Sequence, residues 1–322
     1  IMSIMEIIRF KQYKKYVDSY LEQTEYKNMV KDLNCIFDSM INLSDIFNFS
    51  KDIEKLSLAY FLVNVGYFSS SGRYNYNNNI EEKFNEYLKY GGLPAITQIK
   101  DKDHLVMSYL NDIYNAIVKK DIIERNNIKD IALLENIVRY IAANIGSPIS
   151  ANKISGYLNS NKIIEKTNHQ TIDNYLKMLE NAFIVYKADR SDIRSKALLK
   201  TLGKYYIADT GLRNIILGFR NIDEGHLLEN VVYLELLRRG YKVSIGKLFD
   251  YEVDFVIESP NEIKYYQVTK SLVNDEVKER EIRSLESIPD NYEKIILTMD
   301  KSINKDYNGI KVKNIIDFLL EN

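Results

Sequence analysis

The chain has 322 residues, 45% of them hydrophobic and 28% charged, a composition that supports two or three packed domains. Its 44 lysines and arginines almost balance 45 aspartates and glutamates, and the net charge of −1 excludes a global field drawing it to nucleic acid or membrane, so any basic surface must be local. Cys35 stands alone, which excludes an internal disulfide and a cysteine zinc site and fits a reducing, cytoplasmic compartment.

The first residue is Ile, so the chain reads as a fragment or as one lacking its natural start. Residues 4–66 read as three helices, with Val30, Leu33, Ile36, Phe37 and Met40 at helical spacing. The most apolar run, "LSLAYFLVNVGYF", is too short to span a bilayer, so no membrane is expected. The Ser, Gly and Asn of "SSSGRYNYNNN" (69–79) mark a loop and a boundary. A helix, "IEEKFNEYLKY", stops at Gly91-Gly92, and a long helix follows over about 102–124.

From residue 131 three helices come in close order, the second capped by Ser150 and the third by Asn168. Two strands follow, "FIVYKA" and "KYYIAD". Three helices and a two-stranded ribbon make the winged-helix order, a helix-turn-helix with a wing. The last hundred residues run helix (225–240), three strands, helix (about 275–288), strand and a short helix. The predicted fold is multidomain α+β: a helical region over 1–80, a helical linker over 81–130, a winged helix over 131–218 and an α/β domain over 222–322.

Alternation along the strand 251–258 puts Val253, Phe255 and Ile257 on a core face and Glu252, Asp254 and Glu258 on the other. Gln267 and Thr269 share a face of the next strand. If the two strands pair, Asp254 meets Gln267, and Glu229 of the preceding helix points at the same spot. This order resembles the PD-(D/E)xK nuclease superfamily, with its restriction-endonuclease-like α/β fold. The resemblance implies a catalytic set of Glu229, Asp254 and Gln267, with Asp254 as the Mg²⁺ ligand. It also places Thr269 where that family keeps a lysine. Lysine steadies the charge on the phosphate, so its loss points to a scaffold without cleavage. Lys278 or Arg280 of the next helix could substitute for it.

The third helix of the winged-helix segment offers His169, Gln170, Thr171, Asn174 and Lys177 to bases in a major groove. The ribbon carries Lys187, Arg190, Arg194, Lys196, Lys200 and Lys204 against Asp189 and Asp192, a local surplus suited to phosphates. The phosphate loop GxxxxGK[ST] is absent, and "GYFSSSGRY" (66–74) has the wrong spacing. His104, His169 and His226 form no metal-ligand pattern.

Six stretches in order, "FNEYLKYGGLPAI" (84–96), "TIDNYLKMLENAFIVYKADRSDIRSK" (171–196), "KYYIADTGLRN" (204–214), "GHLLENVVYLELLRRGYKV" (225–243), "EVDFV" (252–256) and "YYQVTKSL" (265–272), carry a further likeness. They resemble the prokaryotic AAA-type ATP-binding proteins that end in the domain of unknown function 4143. That resemblance implies ATP as the family's cofactor, but the residues that would bind it are not in this chain. The combined expectation is a DNA-associated module with a degenerate nuclease-like end. The alternatives are a Mg²⁺-dependent DNA nuclease and a protein-interaction module that partners an intact ATPase.

Overall fold

The computed structural model describes residues 80–321 apart from 94, 95, 97, 98, 100, 101, 162–167, 196, 220–223, 260, 261 and 302–305. The expected helices of 4–66, the loop at 69–79, Cys35 and Lys196 lie outside the described residues.

Helix α1 spans Ile80–Tyr90, and α2 spans Met107–Ala116. Wider π-helical turns, Lys102–Val106 and Ile117–Glu124, flank α2, so the expected long helix changes its pitch at both ends. Three helices follow, α3 (Ile131–Ala143), α4 (Ala151–Ser160) and α5 (His169–Asn181). The predicted caps hold: Ser150 accepts from Lys153 N and Asn168 from Gln170 N. Leu134, Ile137 and Ile141 of α3 pack against Ile154 and Leu158 of α4 and Ile172, Leu176 and Leu179 of α5. This apolar stripe at helical spacing is what joins the three helices.

Strands β1 (Val185–Asp192) and β2 (Leu198–Ile207) form a hairpin after α5. Then come α6 (Thr210–Leu217), α7 (Glu224–Arg238), β3 (Lys242–Leu248), β4 (Tyr251–Ser259) and β5 (Glu262–Thr269). Helix α8 (Asp275–Glu286), β6 (Glu293–Thr298), β7 (Asp306–Tyr307), β8 (Ile310–Asn314) and α9 (Ile315–Leu320) complete the order. The eight strands among the described residues lie in one mixed sheet, β2-β1-β3-β4-β5-β6-β8-β7. The fold is α+β, a helical region joined to a large mixed sheet. The hairpin belongs to that sheet because β1 pairs with β3 in parallel, from Arg190–Ile245 to Asp192–Lys247.

The sheet is covered on both faces. Leu228, Val231 and Val232 of α7 pack on Phe255, Ile257, Tyr266 and Ile295, while Leu285 of α8 and Ile288 just after it pack with Val253, Val256, Tyr265 and Ile296. Strand β4 is therefore apolar on both sides, as a central strand must be. Its strict alternation fails at Val253. Three residues of β3, Ser244 to Gly246, span the four-residue stretch Val253–Val256, and this bulge turns Val253 towards the α8 side.

Helix α7 is buried from Leu227 to Leu236, which forces its polar residues to find partners inside. Asn230 accepts from Ile207 N at 2.8 Å and donates to Ile207 O at 2.9 Å, closing the end of β2. Glu235 takes Arg238 through two 2.7 Å bonds and Arg239 through one of 2.6 Å. Helix α6 ties the front of the fold to the sheet. Asp209, its cap, accepts from Leu212 N at 3.0 Å and from Gly92 N at 2.7 Å. Asn214 donates to Leu88 O and Lys89 O at the end of α1, and Arg213 donates to Ala142 O at the end of α3. Among the described residues no helix is long and apolar enough to cross a membrane.

Candidate functional site

The β4–β5 ladder runs from Ser259–Glu262 to Phe255–Tyr266, and Asp254 and Gln267 lie just beyond its last pair. Gln267 Oε1 accepts from Asp254 N at 3.3 Å, and Asp254 Oδ2 accepts from Val268 N at 2.8 Å. The two residues that alternation put on facing positions thus meet. Glu229 reaches the same place from α7. Its Oε1 accepts from Tyr206 OH at 2.6 Å and from Lys204 Nζ at 2.9 Å.

Lys204 is the centre of the cluster. Its ammonium is also 3.0 Å from Glu252 Oε1 and 3.7 Å from Asp254 Oδ1, and its side chain is only 4% exposed. Arg190 supports Glu252 from the other side at 3.5 Å. Thr269 offers no ammonium, and its hydroxyl donates to Ser271 O. Lys270 pairs with Glu224, Lys278 with Asp275, and Arg280 with Glu281. The cation in the acid cluster therefore comes from β2, a hairpin strand, and not from the strand or helix where a substitute was expected.

In front of the cluster is a cleft of about 920 Å³, whose wall includes Glu229, Glu252, Asp254, Gln267, Arg280 and Glu281. Lys204 does not line it; the ammonium stands behind the carboxylates. Burial works to lower the Lys204 pKa, but Glu229, Asp254 and Glu252 outweigh it and hold the ammonium above its ordinary value. Burial, with the charge of Glu229, pushes the Asp254 carboxyl up to about 8 against the pull of Lys204. Three carboxylates facing two cations, Lys204 and Arg190, leave one negative charge in excess, in line with the raised pKa of Asp254.

The donor set does not fit Mg²⁺ as it stands. A hard divalent ion needs several oxygen ligands free to turn towards it. Here both Asp254 oxygens, Glu229 Oε1 and Gln267 Oε1 already face protein donors, and an ammonium fills the point where they converge. Among the described residues no group of three or more His, Cys, Asp or Glu side chains is arranged to hold a metal.

A pH effect follows from Asp254. Unfolded, it loses its proton near the ordinary aspartate value of 3.8; folded, near 8. Between these values the folded state holds a proton that the unfolded state has released, so this group's contribution to stability falls as pH rises through the window. Urea unfolding of the metal-free protein between pH 5 and 7.5 is expected to show this, and Asp254→Asn should flatten the dependence by up to about 1.4 kcal/mol per pH unit. Identical slopes in both proteins would mean that Asp254 is ionised throughout.

The residues expected at DNA separate into two groups. On α5, His169, Gln170, Asn174 and Lys177 are exposed and Thr171 is half-buried. On the ribbon, Arg194 is exposed, Lys187 pairs with Asp189 at 2.8 Å, and Arg190 and Lys204 are turned inward onto acids. The expected surplus of positive charge is thus spent partly inside the fold. The signal for Lys204 was in the strand: it alternates with Tyr206 onto one face, and Tyr206 is fully buried.

Comparison with known proteins adds a partial match. The family model that matches is a domain of unknown function, DUF8612, over residues 81–223. It takes in Arg190 and Lys204 and stops short of Glu229. An uncharacterized protein of Haemophilus influenzae is 38% identical over 242 residues, covering 75% of this chain and 59% of that protein. An uncharacterized protein of Methanocaldococcus jannaschii is 35% identical over 210 residues, covering 63% of this chain and 45% of that one. The chain spans about half the length of these curated relatives. No solved structure matches it. These findings correct the expected AAA-type family with its domain 4143: the DUF8612 match and the two uncharacterized relatives give it no support, and the expectation of ATP falls with it.

Proposed function

We propose that the chain is a DNA-docking module on a nuclease-like scaffold that does not cut. The order α3–α4–α5 followed by the β1–β2 hairpin supports a winged helix. Asp254, Gln267 and Glu229 at the strand fork support descent from the restriction-endonuclease-like arrangement. The observation that carries the non-cleaving reading is the Lys204 ammonium, buried where three carboxylates converge and shut off from the cleft. Cleavage asks for a cation facing the phosphate and a metal holding the attacking water. Lys204 instead neutralises the acids from inside the protein, which makes the cluster a structural network. Docking on a duplex falls to α5, whose His169, Gln170, Asn174 and Lys177 are free on one exposed side.

Two measurements test this. Supercoiled plasmid incubated with Mg²⁺ or Mn²⁺ is expected to stay intact; nicking that disappears in Asp254→Ala would establish the nuclease instead. Duplex affinity should fall linearly with salt on logarithmic axes, and Lys177→Gln should reduce that slope by about 1. A salt-independent affinity, or none, would remove DNA from the proposal.

A further inference from the structure

We propose that the tip of the β3–β4 hairpin is a stacking platform for an unpaired nucleobase, with Phe249 as the ring and Arg194 as its cation. The inference rests on the nucleic-acid reading above but concerns a different surface. Leu248 pairs with Tyr251, so the turn has two residues, Phe249 and Asp250. Phe249 takes a φ of 51° in the left-handed region, at the first turn position, where glycine is the favoured residue. A bulky side chain there is strained, and its ring is 67% exposed. Phe249 therefore contributes neither burial nor turn geometry to the fold. Strain held without any gain in packing points to use at the surface.

What the ring meets is positioned. Ile193 N donates to Lys247 O at 2.9 Å and fixes the β1–β2 connection against β3. Arg194, the next residue, sits with its guanidinium 5.1 Å from the Phe249 ring centroid. A largely exposed ring with an arginine over one face can take a base on its remaining surface and a phosphate at the guanidinium, as single-strand binding requires. Asp250 and Asp192 flank the tip and repel a run of phosphates, so the complement is the face of one base. A duplex hides its base faces in the stack, which restricts the ligand to single-stranded or frayed nucleic acid. Tyr251, 37% exposed, continues from the tip into the wall of the cleft.

The test uses the full 322-residue chain, a labelled oligothymidylate and a labelled hairpin duplex, read by fluorescence anisotropy. Phe249→Gly suits the turn and is expected to leave the melting temperature unchanged or raised while weakening the oligothymidylate by about fivefold or more. Phe249→Tyr should restore the affinity, Arg194→Gln should lower it, and neither Phe249 variant should change duplex binding. Unchanged single-strand affinity in Phe249→Gly overturns the proposal, as does a wild-type chain that binds duplex alone; the α5 reading survives both. Wild-type binding of the single strand without the duplex keeps the platform and overturns the α5 reading. Self-association abolished by Phe249→Gly, with no nucleic-acid affinity, overturns the platform in favour of a second copy of the chain.

Discussion

Lys204→Met is expected to destabilise the protein by about 3–5 kcal/mol, because it leaves the buried Glu229 and Asp254, with the half-buried Glu252, facing one cation fewer. Methionine keeps most of the stem volume, so the loss reads as charge and hydrogen bonding, not as a cavity. Glu229 would keep its bond from Tyr206, and Glu252 its contact with Arg190. Two outcomes then separate the roles of the cluster. If the lysine is the resident cation, millimolar Mn²⁺ or Ca²⁺ should raise the melting temperature of Lys204→Met and leave the wild type unmoved, since only the variant lacks the cation at the point where the carboxylates converge. If the wild type is stabilised equally by the ion, the cluster is a native metal site and the non-cleaving reading fails. Adding Glu229→Gln to Lys204→Met should restore part of the stability, because one of the unpaired charges is then gone.

Gly91→Ala is the second large effect, with an expected loss of about 3–5 kcal/mol. Gly91 holds a φ of 82°, and a Cβ there would lie 2.1 Å from Asp209 Oδ1. The methyl group cannot enter unless Asp209 moves, and Asp209 holds Gly92 N and Leu212 N. Each buried donor left without its acceptor costs about 1–3 kcal/mol. Gly240 is the control. Its φ is also 82°, but a Cβ there meets nothing within 4 Å, so Gly240→Ala should cost only about 1–2 kcal/mol of backbone strain. Equal losses in the two variants, measured by urea unfolding, would show that the clasp between α1 and α6 adds nothing to the conformational term.

Much of the site was legible one strand at a time. Period-two alternation put Asp254 and Gln267 on facing positions, and a hydrogen bond joins them. The caps at Ser150 and Asn168 marked helix starts because each is a local exchange between a side chain and an amide two or three residues on. The role of the ribbon was not legible. Lys187, Arg190, Arg194 and Lys204 look alike in a charge count, yet one pairs with a neighbour, two turn inward and one faces solvent. The family likeness is no guide to function for a related reason: short motifs such as the Gly91-Gly92 and Asp209–Asn214 clasp serve helix packing.

By itself the sequence determined the order of most helices and strands and the caps at Ser150 and Asn168, because those depend on contacts a few residues long; it did not show α6, β7 or β8, or the bulge that turns Val253. Tertiary structure alone decided which charge neutralises which. Lys204 reaches Glu229, Glu252 and Asp254 only because β1 docks beside β3 in the shared sheet and carries β2 with it. Electrostatic partnership depends on distance in space and on the exclusion of water, and neither quantity is written in the spacing of residues along a chain.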